Sequence, residues 1–186
     1  MLILLIILIV LVVLIFYVIA KYNSLVQFRL KVKNAWAQID VQLKRRHDLI
    51  PNLVNAVKGY MKFEQETLTK VLDARAKAVS ATSIPDKAKA EGELSGVLSR
   101  LFALFENYPE LKANQNVLAL QEELTTTENQ ISYARQFYND SVMNYNANLQ
   151  MFPGNIIASM FNFTAEDKFF EGTEADKAVP TVDLNL

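Results

Sequence analysis

The 186-residue sequence contains no cysteine. That excludes disulfides, cysteine-ligated zinc, a thiol nucleophile and a lipidated cysteine. It contains one histidine, His47, which is thin material for a metal site or an imidazole proton relay. Glycine is scarce, five in all, and the first is Gly59. The first proline is Pro51, so little interrupts a helix over the first fifty residues. Charge is absent from residues 1–20. No phosphate loop, nucleophile elbow, zinc spacing or pair of catalytic carboxylates is found. The length suits one domain plus an anchor.

What fills the N-terminus is apolar. Residues 2–20 run without a polar face, and about 20 such residues span the hydrocarbon core of a bilayer as a helix. A cleaved signal peptide needs a basic start and a small-residue cleavage site, and this stretch has neither, so it reads as an uncleaved anchor. Tyr17 and Tyr22 suit the interfacial layer. Residues 21–50 then carry seven Lys/Arg against Asp40 and Asp48, a local +5 in a chain whose net charge is −1. The remainder is acidic. A basic collar at residues 21–46 beside a span suits anionic lipid headgroups; a nucleic-acid binder needs a broad basic face, so no nucleic-acid partner is expected. Lys21, Arg29, Lys31 and Lys33 follow the span closely, and the positive-inside bias predicts an outside N-terminus and a cytoplasmic body.

From Val26 to Val79 apolar residues recur in steps of three and four, among them Leu30, Trp36, Ile39, Leu43, Ile50, Leu53, Val57, Leu68, Val71 and Val79, which predicts one long helix. Pro51 removes a backbone donor and frees the carbonyl of His47, so a kink or break is expected near Asp48–Ile50, with Gly59 a second soft point. Residues 80–86 read as a loop. A second helix is predicted from about Lys87 to Asn107, ended by Pro109, and a third from about Asn114 to Leu149. A short fourth helix follows, with Asn155 as its N-cap. The last residues, from Val182, alternate like a strand. The fold class is all-α: a transmembrane helix continuing into a long helix, an antiparallel three- or four-helix bundle, and a strand-like tail. The domain reading is anchor 1–21, helical bundle 22–163 and acidic tail 164–186.

The centre of the long stretch reads Ala35-Trp36-Ala37-Gln38-Ile39-Asp40-Val41-Gln42-Leu43-Lys44-Arg45-Arg46-His47-Asp48-Leu49-Ile50-Pro51-Asn52-Leu53-Val54. It resembles the signature of the bacterial LemA family. Val57-Lys58-Gly59-Tyr60, Tyr108-Pro109-Glu110-Leu111-Lys112-Ala113-Asn114, Thr127-Glu128-Asn129-Gln130-Ile131 and Ala134-Arg135-Gln136-Phe137-Tyr138-Asn139 match as well. The resemblance covers nearly the whole chain. It implies one N-terminal membrane helix, a helical body and an association with the bacterial envelope, and it brings no established reaction.

Asp40, Arg45, Arg46, His47 and Asp48 form the densest polar cluster. An acid–base or metal reading is weaker than ion pairing between helices near Pro51. Glu128 and Arg135 lie on or beside the apolar stripe of the third helix, where a charge needs a partner; Arg45, Arg46, Asp40 or Asp73 of the first helix are candidates. Asn139 and Asn146 are candidate register-setting amides. Core packing is the default reading of the late aromatics Phe161, Phe163, Phe169 and Phe170, with packing of some of them on another subunit or on a membrane surface as the alternative. Leu184 and Leu186 give the C-terminus the pattern of a short strand ligand. The reading is a non-enzymatic, cofactor-free membrane scaffold or adaptor of the bacterial inner membrane. It would self-associate as a homo-oligomer, with coiled-coil contacts, or dock on a membrane protein partner. The alternatives are a regulator that presents its tail to a membrane protease or chaperone, and an enzyme or metal site around His47.

Overall fold

A computed structural model describes residues 1–170, and all of the regular structure among them is helical: α1 (Leu2–Val57), α2 (Gln65–Ser80), α3 (Ile84–Phe105), α4 (Pro109–Ala113), α5 (Gln115–Gln150) and α6 (Gly154–Met160). The all-α reading and the continuation of the apolar helix into the body hold. The strand-like tail, with Leu184 and Leu186, lies outside the described residues. By contacts the described residues form two compact units: Met1–Ile39 with Ala134–Asp167, and Asp40–Tyr133 together with residues 168–170.

Two boundaries differ from the sequence reading. The expected break at Pro51 does not occur, because α1 runs through Pro51 to Val57. The interruption falls instead at residues 58–64, around Gly59. There Tyr60 and Met61 both donate to the carbonyl of Val57, 3.0 Å each, and turn the chain. The predicted helix Val26–Val79 is therefore two helices. The predicted loop 80–86 shrinks to 81–83, because Ser83 starts α3: its Oγ accepts from the amide of Asp86 at 3.2 Å and donates to the Asp86 carboxylate at 2.6 Å. This cap satisfies the amide of Asp86, which the helix start otherwise leaves orphaned, and Pro85 in the first turn has no amide hydrogen to satisfy. Asn114 caps α5 in the same way, accepting from the amides of Asn116 and Val117. Asn155 is not a cap. Gly154 is already helical, and the Asn155 side chain accepts from the amide of Ile156 inside the first turn.

The second unit has an apolar core drawn from α1 (Ile50, Leu53, Val57), α2 (Leu68, Val71, Ala74), α3 (Leu94, Leu98, Leu101, Phe105) and α5 (Val117, Leu124), closed by Met61 and Leu111. Burying each large member stabilises the fold by about 1.5–3 kcal/mol before the entropy of ordering it. The first unit packs Leu25, Val32, Ala35 and Ile39 with Tyr138, Val142, Tyr145 and Leu149, all buried. Trp36 meets Tyr138 edge to face at 5.4 Å. Residues 2–20 behave differently. The most apolar window of α1 has a mean hydropathy of 3.8 and none of it is buried. That is one helix long and apolar enough to cross a membrane.

The buried line of α1 is stricter than the predicted stripe. Leu25, Val32, Ile39, Arg46 and Leu53 are all buried and seven residues apart, a heptad seam. Leu30, counted in the stripe, is exposed. The same spacing recurs on α5 through Val117, Leu124, Ile131, Tyr138 and Tyr145.

Two glycines give opposite predictions. A Cβ at Gly154 would sit 2.7 Å from the carbonyl oxygen of Asn148, whereas one at Gly96, inside α3, would meet nothing within 4 Å. Gly154→Ala is expected to destabilise the protein by about 1–3 kcal/mol and Gly96→Ala to stabilise it by about 0.5–1 kcal/mol, read by thermal unfolding in detergent.

Candidate functional site

The seam of α1 carries a guanidinium at the position where its other members are aliphatic. Arg46 is fully buried, and a buried charge must be both paired and hydrogen-bonded. Its Nη2 pairs with the Glu91 carboxylate of α3 and its Nη1 with the Glu128 carboxylate of α5. Nη1 also donates to Ser95 Oγ at 2.9 Å, and Ser95 Oγ in turn donates to Glu128 Oε1 at 3.0 Å. Glu91 is fully buried too, and its second oxygen lies 2.7 Å from His47 Nε2. An ionised carboxylate only accepts, so this bond assigns the Nε2 proton to His47. One guanidinium, two carboxylates, a hydroxyl and an imidazole thus form a closed knot across three helices.

The electrostatics of the knot favour ionised Glu91. Burial pushes its carboxyl up, but the hydrogen bonds and charges of His47 and Arg46 together outweigh it and hold the group below its ordinary value of 4.5. Beside the knot, Arg75 Nε donates to the carbonyl of His47 at 2.6 Å. That is the carbonyl which Pro51 deprives of its helical partner, and α2 supplies the missing donor. The proline therefore stays inside a continuous helix at small cost.

The other sequence-predicted residues lie around or away from this centre. Asp40 pairs with Lys87 of α3 at 2.7 Å, and Arg45 with Glu123 of α5 on the surface. Exposed pairs of the latter kind contribute about 0–1 kcal/mol. Arg135 and Asn139 belong to the other unit and are not part of the knot. Asn146 is there as well, and its amide is engaged within the chain. Its Nδ2 donates to the carbonyl of Glu166 at 2.8 Å, and its Oδ1 accepts from the Glu166 amide at 2.9 Å. Tyr145 donates to the carbonyl of Thr164 at 3.0 Å, so α5 fastens the chain that follows α6. Burial, and to a lesser extent the charge of Glu166, pushes the Tyr138 phenol up to about 12.

Sequence reasoning missed Glu91 and Ser95. Glu91 carried a legible signal, being three residues before Leu94 and seven before Leu98 and so on the buried line of α3. Among the described residues no cluster of His, Asp and Glu is placed to hold a metal. The groove between α2 and α3, of about 710 Å³, is lined by Lys70, Asp73, Lys77, Gly92, Gly96 and Arg100 and includes no member of the knot.

These features define an all-helical protein with one helix of membrane-crossing length and a body closed by an ion-pair knot whose Arg46 and Glu91 are buried and whose Glu128 reaches the surface. The chain belongs to the LemA family, whose model matches residues 35–184. It is similar to Protein LemA of Metamycoplasma hominis, 27% identical over 145 residues, covering 77% of this chain and 66% of that protein. It is similar also to the magnetosome protein MamQ of Magnetospirillum gryphiswaldense, 23% identical over 190 residues with 88% and 70% covered. The magnetosome protein MamQ 2 of Paramagnetospirillum magneticum is 22% identical over 193 residues, with 90% and 71% covered. The chain thus spans between 66% and 71% of the length of these relatives. None of these names denotes a reaction.

Arg46→Met is expected to destabilise the body by about 3–5 kcal/mol, because it strands a buried carboxylate; adding Glu91→Gln should recover much of that loss in chemical unfolding. Because Glu91 is held below 4.5, its contribution to stability is complete above pH 4.5 and is lost as pH falls through its lower folded value. Glu91→Gln should flatten this acid limb of the stability profile.

Proposed function

We propose that this chain is a membrane-anchored scaffold or adaptor of the bacterial inner membrane, with no reaction of its own, which self-associates or docks on an envelope complex. The observation that carries this is the division of labour among its side chains. The charges set within the helical body are consumed by one another, in the knot of Arg46, Glu91, Glu128 and His47. The apolar surface, by contrast, is left outward, in residues 2–20 and at Val41, Tyr133, Phe137 and Met143. A protein whose buried charges answer one another and whose large apolar side chains are left outward is suited to contact. The magnetosome association named for two of its relatives supports a place in a larger assembly.

The test is the mass of the detergent-extracted full-length protein beside the body lacking residues 1–20, a cut that keeps Tyr22. An assembly heavier than one chain is expected in both. A monomer in both would overturn self-association. The same protein bearing a C-terminal reporter active only in the cytoplasm should give signal, as the collar of Lys21, Arg29, Lys31 and Lys33 favours a cytoplasmic body; signal only from a periplasmic reporter would reverse the orientation.

A further inference from the structure

The end of α5, its turn and α6 differ in chemistry from the rest of the body. Residues 141–165 carry no Lys, Arg, Asp or Glu, although at the chain-wide 21% a run of that length would hold about five. Within it Met151, Phe152, Ile156, Met160 and Phe161 are exposed, Phe152 to 80% and Met160 to 64%. Ile156 and Met160 are four apart on α6 and share a face, while Ile157 and Ala158 are buried on the other. Contiguous exposed apolar surface of this kind marks a contact site.

Its position names what it contacts. The Phe161 ring lies 4.8 Å from that of Tyr22, and Phe163 lies 5.6 Å from Tyr22 and beneath the guanidinium of Arg29 at 5.2 Å. Tyr22 comes two residues after the apolar run 2–20, which is matched to a hydrocarbon core of about 30 Å. Tyr22 therefore sits in the interfacial layer that tyrosines favour, and the edge-to-face rings hold the end of α6 at that level. The bonds from Tyr145 to Thr164 and between Asn146 and Glu166 keep the hairpin from swinging away. Lys21, Arg29, Lys31 and Lys33 stand on the same stretch of α1, and cations beside a span attract anionic headgroups.

We propose that the hairpin of residues 151–163 is a second membrane contact: α6 lies in the interface of the bilayer that α1 crosses, with Phe152, Ile156 and Met160 at the acyl boundary. The occupant of this surface is phospholipid rather than a second copy, because the patch is continuous with the anchor and flanked by its cationic collar. A helix of seven residues binds a membrane weakly alone. Tethered beside a span, it works at high effective concentration, where weak affinity suffices. The hairpin and the span together give the first unit two points of attachment, which fix its tilt. This inference rests on residues 2–20 being the anchor.

The chain lacks cysteine, so single-cysteine reporters need no prior engineering. Full-length Phe152→Cys, Met160→Cys, Leu8→Cys and Phe63→Cys proteins are labelled with an environment-sensitive fluorophore and placed in vesicles of phosphatidylcholine and phosphatidylglycerol. Half of the vesicles also carry lipid with a nitroxide high on the acyl chain. Leu8 marks the span, and Phe63, 98% exposed in the other unit, marks water. Labels at 152 and 160 are expected to be quenched about twofold or more by the nitroxide lipid and shielded from aqueous iodide, as an interfacial helix requires. Labels that behave like Phe63 overturn the proposal, and labels shielded from iodide yet untouched by nitroxide lipid overturn it in favour of a contact between copies. Quenching at Leu8 alone removes the hairpin contact and leaves the anchor; quenching at none of the three removes both.

Discussion

Removing the Arg46 guanidinium from water is the constraint around which the second unit is built. A buried guanidinium is costly unless it is paired and hydrogen-bonded, so the surroundings must be arranged to receive it. Its planar fork fixes where the acceptors stand: Glu91 and Ser95 from α3, and Glu128 from α5. A slip of one residue along α1 moves the fork by about 1.5 Å and turns it by roughly 100°, which breaks every one of these bonds at once. Aliphatic seams tolerate small slips, since leucine packs against leucine in more than one register. The knot does not, and this makes it a register device, with Arg preferred to Lys because its fork is directional.

The same accounting of hydrogen bonds explains the proline. Pro51 leaves the carbonyl of His47 without its helical donor, and Arg75 of α2 supplies one. Two arginines on different helices thus complete the polar inventory of one stretch of α1. The inventory is not perfect. Gln42 Oε1 and Arg46 Nε are buried without a hydrogen-bond partner among the described residues, which is a stability cost carried next to the knot.

The first unit is held by other means. Its buried seam members are aliphatic or aromatic, and its polar contacts include an amide and a phenol gripping backbone groups of residues 164 and 166. Aromatic edges join Trp36 to Tyr138 and Tyr22 to Phe161. Charge specifies geometry where the helices are surrounded by water and one another. Apolar and aromatic packing contributes in the unit that holds the apolar start of α1. One heptad seam on α1 serves both regimes, and the residue it carries at each step decides which applies.

Much of this was legible in the residues themselves. The membrane-crossing length of the N-terminal helix, the all-α class and the extent of α5 follow from hydropathy and helical period, which are local properties. Arg46 and His47 were legible as part of a dense polar cluster, and Glu128 as a charge on or beside an apolar stripe that needs a partner. What the sequence by itself determined, then, is which segments are helical, which helix suits a membrane and which charges need partners. The tertiary structure alone decided who those partners are, that Pro51 sits within α1 while Gly59 marks its end, and that Asn146 holds the chain after α6. The physical reason is that these outcomes depend on groups far apart in sequence: Arg75 must come within 2.6 Å of His47, and Glu91 within 2.7 Å, and no local periodicity encodes that meeting.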